Sequence, residues 1–267
     1  MKDAILYAIG DVHGRSDHLS KTLQFIEADA RYWGGRPVVY FLGDIVDRGT
    51  DSKGALELVH ETLKKHEGSR LHLGNHDNWF LDAIQTGGKG NEVGDWLDQG
   101  GQATLDSFYP GVHFVDAISM ISQNHAHLVR MVSNSHLITM HGRMVFCHAG
   151  VDRFSDLDDQ HVDVLTWIRS PFLEISDATM PVVVHGHTIF KHGPVVTDNR
   201  ISLDTGCYAS NRLSTLRVDP KRRKLDFIVS SDSGRMVEVD EIEPHILERG
   251  CGTALDRLDE IFDEWKD

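Results

Sequence analysis

The sequence predicts an α/β fold, and three patterns in the chain support this prediction. Strand-like and helix-like segments alternate through the first third, three apolar runs there end in glycine followed by polar residues, and short apolar runs separated by turns fill the second half. Alternating strands and helices are typical of a parallel sheet covered by helices. Ligands bind at the carboxyl ends of the strands in such sheets, so the polar loops after the glycines are expected to converge.

The first third of the chain has the pattern strand, helix, strand, helix, strand. Apolar runs at residues 4–9, 38–42 and 71–73 have the length and composition of buried strands. Apolar residues recur at helical spacing over residues 16–32, and Asp51 or Ser52 can cap the N-terminus of a second helix. We therefore expect three parallel strands whose carboxyl ends lie at one edge.

The middle of the chain predicts a mostly helical, cap-like insert at about 85–140. Glycine-rich stretches at 86–91 and 100–101 are typical of loops, Trp96 and Phe108 supply apolar anchors, and one helix is expected from about residue 123 to 132. No repeat or low-complexity linker interrupts the chain. A single domain over residues 1–267, with this insert beside the site, is expected rather than two independent domains.

The second half predicts strands and then a terminal helix. Short apolar runs around residues 144–147, 181–184, 194–197, 201–203, 213–218 and 225–229 are separated by turns, which indicates a meander of antiparallel strands. Residues 252–267 predict an acidic helix with one apolar face. We expect this helix to dock on the core, with a partner-binding role as the alternative.

Composition excludes several classes of partner. Because 41 acidic residues outnumber 27 basic ones, giving a formal charge of −14, broad electrostatic capture of nucleic acid or of an anionic membrane is not expected. No apolar stretch approaches the roughly 18 residues of a membrane span. The three cysteines are far apart and outside any CxxC pattern, which fits a reducing cytoplasm. No pattern indicates an oligomeric state.

Five loops carry the residues expected to do chemistry: GDVHG at 10–14, GDIVDRG at 43–49, GNHD at 74–77, HAG at 148–150 and GHT at 186–188. Together they offer carboxylate, amide and imidazole ligands, namely Asp11, His13, Asp44, Asn75, His148 and His187. Mixed oxygen and nitrogen ligands without thiolate suit Mn, Fe or Zn. Six ligands exceed what one metal with an open position needs, so they suit two divalent metals that share one carboxylate. Asp44, on the central loop, is the expected bridge.

These five blocks, in this order, resemble the phosphoprotein phosphatase (PPP) branch of the calcineurin-like metallophosphoesterases. The resemblance extends from about residue 9 to 216, and similar bacterial-type members include bacteriophage lambda protein phosphatase and symmetrical diadenosine tetraphosphate hydrolases. It implies a β-sandwich flanked by helices, in α/β/β/α layers, with the site at the carboxyl ends of the strands. It also implies two divalent metals, most often Mn²⁺, with Fe or Zn as alternatives.

The resemblance assigns a role to each site residue. It implies that Asp11 and His13 hold the first metal and that Asp44 bridges, while the second metal is held by Asn75, His148 and His187. Arg48 would bind the phosphoryl oxygens, Asn75 would also face the substrate, and the segment at 165–172 makes Arg169 the second phosphate-binding arginine. His76 would be the general acid for the leaving oxygen, with Asp47 orienting its ring.

Three functions remain open at this point. The first is a phosphomonoesterase acting on phosphoserine and phosphothreonine of proteins, by attack of a water that two metals acidify toward hydroxide. The second uses the same metals on a small phosphoester, namely a dinucleoside polyphosphate whose adenosine would bind in a pocket of the insert at 85–140. The third is a metal-binding scaffold without activity, which the filled ligand set disfavours. Asp77 stands where eukaryotic protein phosphatases usually carry Glu, which leaves the metal chemistry intact and the substrate unassigned.

Overall fold

Two six-stranded mixed sheets form the framework of the protein in the computed structural model, which describes residues 3–232, 237–247 and 252–265. The strands are β1 (Ala4–Ile9), β2 (Arg36–Phe41), β3 (Arg70–Leu71), β4 (Ile138–His141), β5 (Met144–Cys147), β6 (Val182–His185), β7 (Val195–Val196), β8 (Arg200–Ser202), β9 (Arg212–Asp219), β10 (Lys224–Asp232), β11 (Val237–Ile242) and β12 (His245–Ile246). The α-helices are α1 (Ser16–Tyr32), α2 (Ser52–Lys65), α3 (Asn75–Thr86), α4 (Val93–Trp96), α5 (Gln102–Phe108), α6 (Phe114–Asn124), α7 (Ala126–Ser133), α8 (Val162–Trp167), α9 (Cys207–Ser210) and α10 (Leu258–Asp263).

The first sheet contains the three strands predicted at the start of the chain. Its order is β11-β10-β9-β1-β2-β3, and β1 pairs parallel with β2, which pairs parallel with β3. The second sheet has the order β12-β7-β8-β6-β5-β4, with β5 and β6 parallel. Because parallel neighbours end at the same edge, each sheet delivers its loops to one side. The prediction of a parallel arrangement for the first third is confirmed.

Alternating side chains on β1 show how the layers are built. Leu6 and Ala8 point into an apolar core shared with second-sheet residues such as Phe146, whereas Tyr7 and Ile9 point into a separate core formed with the helices. A strand buried on both faces reads as a continuous apolar run, as residues 4–9 do. The second sheet has its own outer cluster beneath α8. The expected sandwich with flanking helices is confirmed.

The meander predicted for the second half is only partly correct. β9, β10 and β11 do form an antiparallel meander, but it extends the first sheet beside β1. The earlier strands belong to the second sheet, where β6 pairs parallel with both β5 and β8. The spacing of apolar residues along a strand indicates which face is buried but not which strand lies beside it. The sequence therefore did not show how the strands divide between the two sheets.

Residues 75–133 form the helical layer over one face of the first sheet. The helix expected from about 123 to 132 is instead α7, which starts after a break at His125, and α6 before it was not predicted. At the break His125 leaves helical geometry, with φ −124° and ψ 31°, while its ring packs against Phe108 at 4.9 Å. Leu105, Ile118 and Leu128 of these helices are buried in the same core as α1 and α2.

The C-terminal segment packs against the core between the sheets. A 3₁₀ turn (Ala254–Arg257), capped by Thr253, leads into α10, whose Ile261 and Phe262 are buried in that core. Residues 266 and 267, which the sequence places in the same helix, lie outside the described residues.

Two expectations from composition concern membranes and cysteines. No helix in the described ranges is long and apolar enough to cross a bilayer. Cys147 and Cys207 are buried and unbonded, and Cys251 lies outside the described residues. Burial raises the pKa of the Cys147 thiol to about 12, so the reactive thiolate is suppressed.

The packing of α10 predicts the effect of truncating Phe262. Because the ring is 6% exposed in the core between the sheets, Phe262→Ala is expected to lower the free energy of unfolding by about 3 kcal/mol, measured by urea denaturation. Phe154→Ala is the matched control, since that ring is 83% exposed and its loss should change the value by less than about 0.5 kcal/mol. Equal values for the two variants would contradict the docking of α10.

Candidate active site

The five loops meet at one edge of the sandwich. Asp11 and His13 follow β1, Asp44 follows β2, and Asn75 begins α3 just after β3. From the second sheet, the loop after β5 carries His148 and the loop after β6 carries His187. All six side chains are buried. The convergence that the sequence predicts from strand direction is therefore observed for all six candidate ligands.

Asp44 lies at the centre of the cluster. Its Oδ2 is 3.5 Å from Nε2 of His13 and 3.5 Å from Nε2 of His148, while its Oδ1 accepts a hydrogen bond from the backbone N–H of His76 at 2.9 Å. Two groups of ligand atoms share this carboxylate, one with His13 and His76 and the other with His148 and His187. A carboxylate between two imidazole groups has the position expected of a bridge between two cations.

Backbone carbonyls orient the two imidazoles beside Asp44. Nδ1 of His13 donates to the Val46 carbonyl at 2.8 Å, and Nδ1 of His148 donates to the Leu42 carbonyl at 2.8 Å. Each ring therefore turns the lone pair of Nε2 toward Asp44, which is how histidines that bind metals are oriented. Burial lowers the pKa of His13 to about 3 and also lowers the pKa of His148, so both rings are neutral and available as ligands.

In the second group, several hydrogen-bond acceptors lie close together, which favours a cation between them. Oδ1 of Asn75 lies 3.1 Å from Nε2 of His148 and 2.9 Å from Nδ1 of His187. Because His148 uses its proton on the Leu42 carbonyl, its Nε2, the Asn75 oxygen and the Asp44 carboxylate face one another as acceptors. Oxygen and nitrogen acceptors grouped in this way fit a divalent metal.

Buried negative charge indicates that the first group also fits a divalent metal. Asp11 accepts hydrogen bonds from the backbone N–H of His187 at 3.1 and 3.2 Å. Even so, burial and the carboxylates of Asp204 and Asp44 raise the pKa of Asp11 well above its ordinary value. Closely spaced carboxylates in a buried site are relieved by a bound cation. The residues present therefore fit divalent metals, as expected from the sequence.

His76 and Asp47 form a buried pair beside this cluster. Nδ1 of His76 donates to Oδ2 of Asp47 at 2.7 Å, which leaves Nε2 facing the cavity. Burial acts to lower the pKa of His76, but the carboxylates of Asp44 and Asp47 outweigh it and raise the pKa above the ordinary value. An imidazole whose protonated form is stabilised by neighbouring carboxylates has a property required of a general acid.

Arg48 and Arg169 line a cavity of about 410 Å³ above the cluster. Arg48 places Nη1 at 3.1 Å from Nε2 of His13 and Nη2 at 2.9 Å from Nε2 of His76. Its guanidinium lies over the Tyr208 ring, 4.8 Å from the ring centre. Arg169 is exposed at the cavity wall. Two guanidinium groups beside a ligand cluster can bind an anionic phosphoryl group.

The structure adds residues that the sequence did not single out. The cavity is also lined by Trp79, Trp167 and Tyr208, with the two indole rings 4.9 Å apart. Trp96 and Thr104 reach Asp47 from the helical layer, at 2.9 Å and 2.6 Å. Trp167 lies two residues before Arg169, in the same segment at 165–172 from which Arg169 was identified, so the sequence could have indicated Trp167 as well. Trp79 lies three residues after His76 on α3, whereas Trp96, Thr104 and Tyr208 contact site residues that are distant in the sequence.

The site is built on backbone conformations that most residues avoid. Positive φ values occur at His13 (45°), Asp44 (50°), Asp47 (74°), Arg48 (68°) and His187 (61°). Such conformations cost of order 1–3 kcal/mol each and persist only where the surroundings enforce them. They indicate that these loops are shaped for the positions of their side chains rather than for the stability of the loop.

The glycines before the ligands are required by close approach. A Cβ atom at Gly74 would lie 2.2 Å from Oδ1 of Asp44, and one at Gly186 would lie 1.9 Å from Oδ1 of Asp11. Any larger residue would displace the carboxylate that the loop is built around. This explains in physical terms why glycine precedes Asn75 and His187 in the motifs.

Comparison with known proteins gives a consistent result. The sequence profile of the family described as calcineurin-like phosphoesterase matches residues 6–233. The asymmetrical bis(5'-nucleosyl)-tetraphosphatase PrpE of Oceanobacillus iheyensis is 25% identical, with 80% of this chain and 88% of that protein covered. The symmetrical bis(5'-nucleosyl)-tetraphosphatase of Nitrosospira multiformis is 23% identical, with 81% and 94% covered.

Similarity to solved structures supports the fold. A cold-active protein-tyrosine phosphatase from a Shewanella species superposes with a TM-score of 0.55 at 16% identity, covering 91% of this chain and 83% of that one. At this identity the likeness concerns the arrangement of sheets and helices alone.

The buried pair predicts a measurable effect on His76. Asp47→Asn keeps the shape of the side chain but removes its negative charge, so the pKa of His76 is expected to fall. NMR titration of the His76 ring in metal-free protein measures the change. Asp17→Asn, which alters an exposed carboxylate on α1, is the control and should leave the pKa of His76 in place. An unchanged value in Asp47→Asn would mean that Asp44 alone raises it.

Proposed function

The chain belongs to the calcineurin-like phosphoesterase family, whose profile spans residues 6–233, and from this premise we propose that it hydrolyses dinucleoside polyphosphates such as diadenosine tetraphosphate. The relatives that cover four fifths of the chain are named bis(5'-nucleosyl)-tetraphosphatases. They favour this function over the phosphoprotein substrate that the sequence suggested first. The observation that carries the proposal is the pair of tryptophans that walls the cavity beside the phosphate-binding arginines.

We assign the metal ligands as the resemblance implies, in two groups sharing Asp44. Asp11 and His13 hold one divalent cation, and the other is held by Asn75, His148 and His187. The acceptors that face one another without a proton between them support this division. Mn²⁺ is the proposed metal, with Fe and Zn as alternatives, since each accepts mixed oxygen and nitrogen ligands. When bound, such cations supply Lewis acidity, which lowers the pKa of water and stabilises charge on phosphoryl oxygens.

Arg48 and Arg169 hold the phosphate chain of the substrate over this centre. In the present arrangement Nη2 of Arg48 donates to Nε2 of His76, a contact that requires a neutral ring. Once His76 is protonated, both groups are donors and repel. An anionic phosphate between them accepts from both, so the substrate completes the hydrogen bonding that the site lacks.

His76 then acts as the general acid. Its Nε2 proton passes to the leaving phosphate oxygen as the P–O bond breaks. The Nδ1 proton stays on the ring, where it is hydrogen-bonded to the Asp47 carboxylate. The carboxylate holds the ring in one orientation and stabilises its charged form before the reaction. No side chain needs to form a covalent intermediate with the phosphate.

Trp79 and Trp167 provide a surface for a nucleobase. The rings lie edge to face at 4.9 Å, Trp79 also packs 5.2 Å from His76, and Trp167 lies 5.9 Å from His187. Trp167 is 36% exposed and lines the cavity, so a ligand in the cavity can contact its ring. Stacking on an aromatic ring contributes about 1–3 kcal/mol per base. A substrate with a base attached to its phosphate chain uses this wall, whereas a phosphoserine does not.

The metal assignment predicts how binding changes on substitution. His187→Ala is expected to reduce the bound Mn²⁺ from two equivalents to one, and Asp44→Asn should weaken both sites, because only Asp44 is shared. Calorimetric titration and metal analysis after dialysis measure the stoichiometry. His127→Ala, in which an exposed histidine of α7 is removed, should still bind two. Two equivalents retained by His187→Ala would exclude it as a ligand.

The substrate assignment is tested with manganese-loaded protein on a panel of phosphoesters. Diadenosine tetraphosphate should be cleaved faster than a phosphoserine peptide, and the products distinguish symmetrical cleavage to two ADP from asymmetrical cleavage to ATP and AMP. Trp167→Ala should raise KM for the dinucleotide about tenfold through lost stacking, while leaving KM for p-nitrophenyl phosphate unchanged. Tyr32→Ala, which removes an exposed ring on α1, is the control. Cleavage of peptides alone would restore the phosphoprotein assignment.

A further inference from the structure

We propose that Trp96 and Thr104, two residues of the helical layer, are positioning residues that set the geometry of proton transfer from His76. They act through Asp47, so the inference rests on the proposed role of His76 as general acid. It does not depend on which phosphoester is the substrate. The sequence predicts that the segment containing these two residues lies beside the site. This segment therefore also helps to position the general acid.

The contacts of Asp47 carry the proposal. Its carboxylate is fully buried, and each oxygen has its own protein donors. Oδ2 accepts from Nδ1 of His76 at 2.7 Å and from Nε1 of Trp96 at 2.9 Å, while Oδ1 accepts from the hydroxyl of Thr104 at 2.6 Å. Hydrogen bonds at both oxygens restrain rotation of the carboxylate, so the oxygen that accepts the hydrogen bond from His76 is held in place.

Thr104 also fixes the backbone of the same residue. Its hydroxyl accepts from the Asp47 backbone N–H at 2.9 Å, and the hydroxyl of Ser52 accepts from that N–H at 3.1 Å. One hydroxyl thus binds both the main chain and the side chain of Asp47. This matters because Asp47 has a φ of 74°, a conformation that its own sequence does not favour.

The preceding turn of the helical layer holds the next residue, Arg48. The carbonyl of Gly100 accepts from the Arg48 backbone N–H at 3.2 Å. Gly100 lies at a kink within Leu97–Gly101, where it leaves helical geometry with a φ of 117°, and a Cβ atom there would lie 2.7 Å from that same nitrogen. The kink lies between Trp96 and Thr104 in the chain, and both residues reach Asp47.

The consequence for the reaction concerns the leaving group. A general acid matters most when the departing oxygen is strongly basic, because a good leaving group departs without a proton. Loss of the Thr104 or Trp96 hydrogen bond lets the Asp47 carboxylate turn and the His76 ring follow it. Hydrolysis of slow substrates with poor leaving groups should therefore become slower, whereas hydrolysis of fast substrates with good leaving groups should not change. A residue that only stabilises the fold would slow both classes alike.

The test compares p-nitrophenyl phosphate, which has a good leaving group, with phenyl phosphate, which has a poor one, using manganese-loaded protein. Thr104→Val removes one donor at nearly constant shape, and Trp96→Phe removes the other donor together with part of a buried ring. Each is expected to lower kcat for phenyl phosphate about tenfold, part of the hundredfold or more that a general acid contributes, with less than about a twofold change for p-nitrophenyl phosphate. Thr104→Ser keeps the hydroxyl and should restore the wild-type ratio.

Two further variants separate the possible failures. His76→Asn should show the same selective loss to a greater extent; if it does not, His76 is not the acid and the proposed function fails. If His76→Asn does and Thr104→Val does not, the positioning role alone is overturned. Thr62→Val is the matched control, since its hydroxyl also makes a buried hydrogen bond, to the Leu58 carbonyl at the far end of α2. It should slow neither substrate.

A second measurement needs no turnover. The Nδ1 proton of His76, shared with Asp47, should give a downfield NMR signal in metal-free wild-type protein. Thr104→Val is expected to shift or broaden this signal while Thr62→Val and Thr104→Ser retain it. A signal unchanged in Thr104→Val would overturn the positioning role, whatever the kinetics.

Discussion

Buried negative charge at the edge of the sandwich is the constraint on which the rest of the site depends. Asp11, Asp44 and Asp204 lie together out of contact with bulk water, and such a cluster is costly unless cations or donors surround it. The protein supplies neutral imidazoles fixed by backbone carbonyls, backbone N–H groups and the guanidinium groups of Arg48 and Arg169 at the cavity wall. What it does not supply is enough positive charge, and divalent metals would provide the remainder. A bound divalent metal would therefore also stabilise the folded state.

The same charge explains the strained loops. Five residues of the site have positive φ values, and two glycines leave room for a carboxylate that any side chain would displace. These costs are offset by the two apolar cores on either face of the first sheet and by hydrogen bonds from outside the loops. The helical layer is one source of that support, since Thr104 holds both the backbone and the carboxylate of Asp47. Strain and rigidity are thus two aspects of one arrangement.

The ligands were predictable because each follows a strand end directly, and strand direction decides where such residues meet. Thr104 and Trp96 were not, because they contact Asp47 across 57 and 49 positions of the chain, a pairing that no local pattern records. For the same reason, the sequence did not predict that β9 belongs to the first sheet. The substrate was also beyond the motifs, which handle a phosphoryl group whatever it is attached to. The cavity walls on which we propose that a base stacks include Trp79 and Trp167, and a sequence does not show which of its aromatic residues line a cavity.

The pairing of β1 with β9 has a consequence for the biogenesis of the protein. Leu6, near the start of the chain, pairs with Val218, near its end. During synthesis one edge of β1 therefore stays without its partner until residues 212–219 have left the ribosome, and exposed strand edges promote association between chains. Contacts between residues so far apart in sequence also slow folding. The emerging chain is most vulnerable to aggregation in this interval, before the first sheet can close around its central strand.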